Sequence, residues 1–129
     1  MMTNTKMAVF NKYTNSTTKN VTFKKHLINN VFWDDSKGVN LNKGYDKADS
    51  VNVYIPKDIN DLSSYVKPKQ YNGTNWTLCE GDLIIKGDVK ETEVNGIKDL
   101  SAYEVFTITM VDDKDFGSPS MQHFEIRGS

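Results

Sequence analysis

Hydrophobic and polar residues alternate along much of this chain, which is the pattern of half-buried β-strands. The alternation is clearest near the C-terminus, where residues 105–111 place apolar side chains between threonines and residues 121–126 place Phe124 and Ile126 between polar ones. Residues 112–119 between these two runs are rich in Asp, Gly, Ser and Pro, which are the residue types of turns. The pattern predicts a β-hairpin of two strands joined by a polar turn.

Four further strands are predicted, at residues 7–13, 21–33, 51–55 and 83–87, and the last of them is the most apolar of the chain. In the longest run, Lys25 and Asn29 interrupt the apolar positions, so we expect a bulge or a solvent-exposed middle there. Pro56 ends the third strand because proline cannot donate a hydrogen bond to a neighbouring strand. Residues 76–78 lead into the last of the four through a turn at Gly81 and Asp82.

Few segments have a helical pattern. A helical turn is predicted at residues 60–62, and a short helix at residues 97–103, where Leu100 and Tyr103 share one face. Residues 91–96 have the composition of a charged loop, and residues 34–49 that of a long polar loop. The sequence therefore predicts one mainly β domain over residues 1–129, a small β-barrel or sandwich of about six strands with one or two short helices.

Composition restricts the function classes. The formal net charge is −1, and Arg127 is the only arginine among 16 basic residues, which argues against a protein that reads DNA bases. Cys79 is the only cysteine, which fits a reducing compartment. No apolar run reaches the roughly 18 residues of a membrane helix, and residues 1–10 lack the core of a signal peptide. We therefore expect a cytosolic protein with no membrane partner.

The acidic turn of the hairpin has half of a calcium-loop pattern. Asp112, Asp113, Asp115 and Gly117 place oxygen ligands and a glycine at suitable spacing. The later bidentate glutamate is missing, because its position holds Phe124. The better interpretation is a solvated turn between strands, with no metal bound.

Nucleophilic catalysis has little support in the sequence. His26 and His123, with Cys79 or a serine, are the candidates for a nucleophile and base, but no local motif brings them together. There is no phosphate-binding glycine loop and no zinc-ligand spacing. The prediction is a protein that is not an enzyme and needs no cofactor, with His123 on the outer face of the last strand.

Trp33 and Trp76 allow two interpretations. As the largest apolar side chains on strand-like segments they are expected to be core residues. The alternative is an aromatic platform on an OB-like barrel that stacks single-stranded bases. That function needs a basic groove, whereas the lysines here are scattered among as many acidic residues, so the core interpretation is favoured.

Several segments together resemble a protein family. They are residues 48–56, the Gly-Asp strand within residues 76–87, residues 106–113, and the Met-Gln-His-Phe ending within residues 117–126. They resemble an uncharacterised family of small proteins encoded in the morphogenesis modules of tailed phages and prophages of Gram-positive bacteria. The resemblance spans residues 10–128. More loosely, the pattern is similar to phage head–tail joining proteins, which are small β-barrels that assemble as rings under the portal.

The resemblance implies a virion structural protein of the head–tail connector, or neck, most simply a head-closure (stopper) or adaptor ring subunit. Its partners would be further copies of itself in a cyclic ring, the portal or adaptor protein, and tail proteins, with assembly in the host bacterial cytoplasm. The 34–49 loop is the candidate contact with a neighbouring subunit or with passing genomic DNA, through Lys37, Lys43, Asp46, Lys47 and Asp49.

Four alternatives stay open at this point. The nearest is a tail-terminator or tail-completion subunit, which shares size and ring assembly with the connector proteins. An OB-like module that binds single-stranded nucleic acid is a second class, and an enzyme is a third. A phage-encoded inhibitor of a host protein is the fourth.

Overall fold

A computed structural model of the protein describes residues 3–34 and 50–129, and within them the structure is mainly β. The strands are β1 (Thr5–Thr14), β2 (Val21–Asp34), β3 (Val51–Pro56), β4 (Leu83–Lys86), β5 (Glu93–Val94), β6 (Phe106–Lys114) and β7 (His123–Gly128). Three short 3-10 helices span Pro68–Gln70, Ile97–Leu100 and Pro119–Met121, and no α-helix occurs in the described ranges. The predicted fold class is confirmed.

Six of the seven strands form a nearly closed antiparallel ring. The order around it is β1, β4, β6, β7, β3 and β2, and β2 pairs again with β1. The predicted C-terminal hairpin is the β6–β7 pair. Closure leaves few unpaired strand edges, because each ring strand has neighbours on both sides along part of its length. The short strand β5 pairs with β2 outside this ring.

Two bulges bend the ring. Thr5 lies opposite Val31 and Met7 opposite Ile28, so β2 carries one extra residue near Asn29. A matching irregularity interrupts the pairing of β6 with β7 between Ile108 and Met110. A bulge bends a strand and increases its twist, which allows the two ends of that strand to pair with neighbours on different sides of the barrel. Of the two outcomes expected around Lys25 and Asn29, a bulge or a solvent-exposed middle, the bulge is observed near Asn29.

The interior of the ring holds the larger of two hydrophobic clusters. It contains the aromatic residues Trp33, Trp76, Phe106 and Phe124, packed with aliphatic side chains from the ring strands. Trp33 is 3% exposed and Trp76 is 2% exposed, so the core interpretation of both tryptophans is confirmed.

The second cluster lies on the outer face of β1 and β4. Ala8 and Phe10 of β1 pack there with Leu83 and Ile85 of β4. Residues from the segment between β4 and β6 complete the cluster, namely Val89, Val94, Leu100 and Val105. Because both faces of β1 and β4 are buried, these two strands have continuous apolar runs and not an alternating pattern.

Three local predictions were wrong. The charged loop at 91–96 contains β5, whose residues pair with Phe23 and Lys24 although a two-residue strand leaves no periodic signal. The helix at 97–103 is only the 3-10 helix Ile97–Leu100, because the chain must return to β6 soon after Leu100 is buried. The turn at 60–62 is not helical. Instead the Asn60 side chain accepts a hydrogen bond from the Asn30 amide (3.2 Å) and donates to the Asn30 carbonyl (2.8 Å).

Candidate assembly surface

A buried polar cluster ties β1 to the segment that precedes β4. The Asn11 side chain donates to the Thr77 carbonyl (2.7 Å) and accepts from the Thr77 amide (3.2 Å). It also donates to the Asp82 carboxylate at 2.8 Å. Each polar atom of the buried Asn11 side chain therefore has a partner, as burial requires. We call these contacts the Asn11–Asp82 clasp.

Asp82 is the centre of this clasp. It is 2% exposed, and its carboxylate accepts from the amides of Lys12 (2.9 Å) and Cys79 (3.1 Å) as well as from Asn11. Burial raises the pKa of Asp82, and the hydrogen bonds from Lys12, Asn11 and Cys79 oppose that rise. The clasp holds residues 77–82 in one conformation against β1.

Beside the clasp lies a groove of about 810 Å³. It is lined by Tyr65, Val111 and the buried Leu78, together with Cys79, Glu80, Asp113 and residues 67–70. We call it the lysine-rimmed groove, because Lys67 and Lys69 are exposed at its edge. A volume of this size accommodates several side chains of a partner.

Tyr65 is positioned by a short pairing of two loop segments. The Val66 amide donates to the Trp76 carbonyl (2.9 Å), and the Trp76 amide donates to the Ser64 carbonyl (3.1 Å). The Tyr65 ring packs against the rings of Trp76 and Phe124, with centroid distances of 5.1 and 4.9 Å. The groove is therefore built on the interior core of the ring.

The turn of the β6–β7 hairpin presents two large apolar side chains to solvent. Phe116 is 71% exposed and Met121 is 64% exposed. The turn is ordered by local bonds: the Gln122 side chain donates to the Gly117 carbonyl (3.2 Å), and Gly117 has a φ of +87° that favours glycine. We call residues 115–121 the hairpin tip. These two exposed apolar side chains make the hairpin tip a candidate contact site.

Two of the aspartates that the sequence placed in the hairpin turn lie in a strand instead. Asp112 and Asp113 belong to β6, because the strand continues to Lys114 and pairs there with β7. Asp113 and Asp115 form ion pairs with Lys57, and Asp112 pairs with Lys114 at 2.8 Å. Burial would lower the pKa of Lys57, but the bonds to Asp113 and Asp115 outweigh it and raise that pKa. No group of three metal-ligating side chains is present in residues 3–34 and 50–129.

The His26 ring stacks on the indole of Trp76, with a centroid distance of 4.4 Å and an interplanar angle of 6°. Two small cavities of about 330 and 150 Å³ adjoin the stack. Lys24, Lys25 and Glu93 line the first, and Asp61 lines the second. Burial lowers the pKa of His26, and Asp61 opposes that change.

The His26–Trp76 stack predicts a pH dependence of stability. Because the folded-state pKa of His26 is below its ordinary value of 6.5, the unfolded chain binds the proton more tightly. The free energy of unfolding should therefore be highest above pH 6.5, where the imidazole is neutral in both states. It should fall as the pH decreases through 6.5 towards the lowered pKa. Urea denaturation across this range would measure it. His26→Gln should flatten that part of the profile. An unchanged slope in this variant would contradict the assignment.

The other candidate residues for catalysis have separate surroundings. His123 is half-buried on β7, where its Nδ1 lies 2.9 Å from the Met121 carbonyl and its ring contacts Tyr54. The alternation of His123 with the buried Phe124 agrees with the predicted outer-face position. Cys79 lines the lysine-rimmed groove, and burial, with the charges of Asp82 and Glu80, raises the pKa of its thiol. A raised pKa disfavours the nucleophilic thiolate.

The predicted contact loop is not part of the described structure. Lys37, Lys43, Asp46, Lys47 and Asp49 all lie outside the described residues, and only Asp34 of the 34–49 segment is placed, as the last residue of β2. The groove and the hairpin tip were not predicted. The signal for the tip was present, since Phe116 is a large aromatic residue inside a turn.

One comparison with known proteins identifies a family. A family model described as a family of unknown function, DUF6751, matches residues 2–129. The chain belongs to this family. No curated protein and no solved structure matches it significantly. Within residues 3–34 and 50–129 of this DUF6751 member, no helix has the length and apolar character to cross a membrane.

Proposed function

We propose that this DUF6751 protein is a virion structural subunit of tailed phages, located in the head–tail connector as a head-closure or adaptor ring. The observation that carries the proposal is the combination of a nearly closed β-ring with two separate apolar surfaces, the lysine-rimmed groove and the hairpin tip. The resemblance of residues 48–56, 76–87 and 106–126 to proteins of phage morphogenesis modules supports the same function.

The physical argument concerns how identical subunits associate. A dimer with a twofold axis uses one patch that contacts itself, whereas a ring uses two different patches, each contacting the other on the next copy. The barrel presents two different apolar patches of unlike shape, one concave and one projecting. It is therefore suited to repeat around a cyclic axis. Alternating charges near such patches set the register between copies more than they add affinity.

The proposal predicts where the protein lies in the particle. In virions of a phage that encodes this chain, cryo-electron microscopy should locate it in the neck as a ring. The purified chain should be monomeric or weakly associated, and should form the ring when portal or adaptor protein is added. Density for the chain only in the capsid, the tail tube or the baseplate would sink the proposal.

Deletion of the gene would distinguish a head-closure or adaptor subunit from a tail-terminator subunit. Loss of a head-closure or adaptor subunit should leave DNA-filled heads that leak or do not join tails, while tails of normal length accumulate. Loss of a tail-terminator subunit should give tails of abnormal length beside intact, closed heads. Complementation with the intact gene is the control for effects on neighbouring genes.

A further inference from the structure

We propose that the hairpin tip of one copy of this protein docks in the lysine-rimmed groove of a second copy. The occupant is thus another copy of the same chain, and the contact is head-to-tail. The inference deepens the proposed function and rests on its premise that identical copies repeat, because it names the two surfaces through which they would do so.

The apolar chemistry of the two surfaces matches. The groove offers the partly exposed side chains of Tyr65 and Val111 above the buried Leu78, and the tip offers Phe116 and Met121. A groove of about 810 Å³ is large enough to take both tip side chains. Aromatic residues entering an apolar pocket are the usual anchors of protein interfaces.

The charges also match along one edge. Asp115, whose side chain is 70% exposed and forms an ion pair with Lys57 of its own chain at 3.4 Å, immediately precedes Phe116. Lys67 and Lys69 line the groove, so docking would exchange the exposed pair with Lys57 for pairs with these two lysines. Glu80 and Asp113 line the groove as well, so an entering Asp115 should lie toward the two lysines. This arrangement sets one orientation of the tip, because the reverse one would bring like charges together.

Within one copy, the hairpin tip does not fill the lysine-rimmed groove. Phe116 is 71% exposed, so it does not lie in the groove of its own chain, although Val111 and Asp113 of the same strand line that groove. The tip is also prepared for docking. The 3-10 helix Pro119–Met121 and the hydrogen bond from the Gln122 side chain to the Gly117 carbonyl (3.2 Å) order it, which lowers the entropic cost of association.

The native cysteine provides a direct test, because Cys79 lies in the groove and is the only thiol in the chain. The wild-type protein then carries a groove thiol alone. The double variant Ser118→Cys/Cys79→Ser carries a tip thiol alone and keeps Phe116 and Asp115. The two proteins, one of them mass-tagged, are mixed and oxidised at alkaline pH, and the disulfide-linked products are identified by mass spectrometry.

We expect the mixed groove-to-tip disulfide to exceed both same-protein disulfides several-fold. Adding Phe116→Ser to the tip-thiol variant should reduce the mixed product to the level of random collision. Lys67→Glu/Lys69→Glu in the groove protein should reduce it too, and Asp115→Lys in the tip protein should restore it. The matched control is Ser101→Cys/Cys79→Ser, which moves the second thiol to an exposed site after the 3-10 helix Ile97–Leu100.

A mixed product no more abundant than in the Ser101→Cys control would overturn the docking. That result leaves the proposed function standing if the chain is still found as a ring in the neck. Conversely, a strong mixed disulfide from a protein located elsewhere in the particle removes the proposed function and retains the docking. The two failures are therefore distinguishable.

Discussion

Replacing Asp82 with alanine is expected to lower the free energy of unfolding by about 3 kcal/mol. The carboxylate is 2% exposed and accepts three hydrogen bonds, from the Lys12 amide, the Asn11 side chain and the Cys79 amide. Alanine leaves those donors without an acceptor in a site that excludes water. An unpaired buried donor costs more than the net value of the bond it loses.

Urea denaturation of Asp82→Ala beside wild type would measure the loss. Asp88→Ala is the matched control, because the Asp88 side chain is 51% exposed and its partner Lys25, at 3.1 Å, keeps a second bond to the Val89 carbonyl. An exposed pair contributes little, so the control should change stability by less than about 1 kcal/mol. Equal effects of the two substitutions would show that the clasp does not stabilise the fold.

The Asn11–Asp82 clasp also connects folding to the candidate surface. It fixes residues 77–82, which bring Leu78, Cys79 and Glu80 to the groove. A barrel interior made only of hydrophobic residues would allow this segment to slide along β1. A satisfied polar network permits one register, because any shift leaves buried groups unpaired. The groove therefore owes its shape to polar residues that do not line it.

The sequence predicted most of the strands because their signal is local. Alternation located β2, β3, β6 and β7, and a continuous apolar run located β4, whose two faces are both buried. The bulge in β2 was visible as a break in the same alternation. These features depend on which side chains face the core, and the order of residues along the chain records that directly.

Other elements depend on partners distant in the chain. β5 exists because Val94 fits into the outer cluster beside Phe23, seventy-one positions away. The Asn60 side chain binds the Asn30 backbone in place of a helical turn. The groove joins residues near 65, 78 and 111, so no motif of consecutive residues describes it. Such features follow from closure of the ring, which the local pattern does not specify.

Gly128→Val is expected to destabilise the protein by about 2 kcal/mol through overpacking. Gly128 is buried at the end of β7, where it pairs with Val51 of β3 and Ile108 of β6. A Cβ atom on Gly128 would lie 3.0 Å from Cβ of Phe106 and 3.2 Å from Cδ1 of Ile84. Both neighbours belong to the interior core, so relief of this contact requires movement of the core or of β7.

The position one residue earlier is the control. Arg127→Val introduces the same side chain at an exposed site of β7, and should change stability by less than about 0.5 kcal/mol in urea denaturation. Gly128→Ala should lie between the two variants, because it adds a single atom at the tight distance. If Gly128→Val lowered the free energy of unfolding no more than Arg127→Val does, the end of β7 would not be held against Phe106.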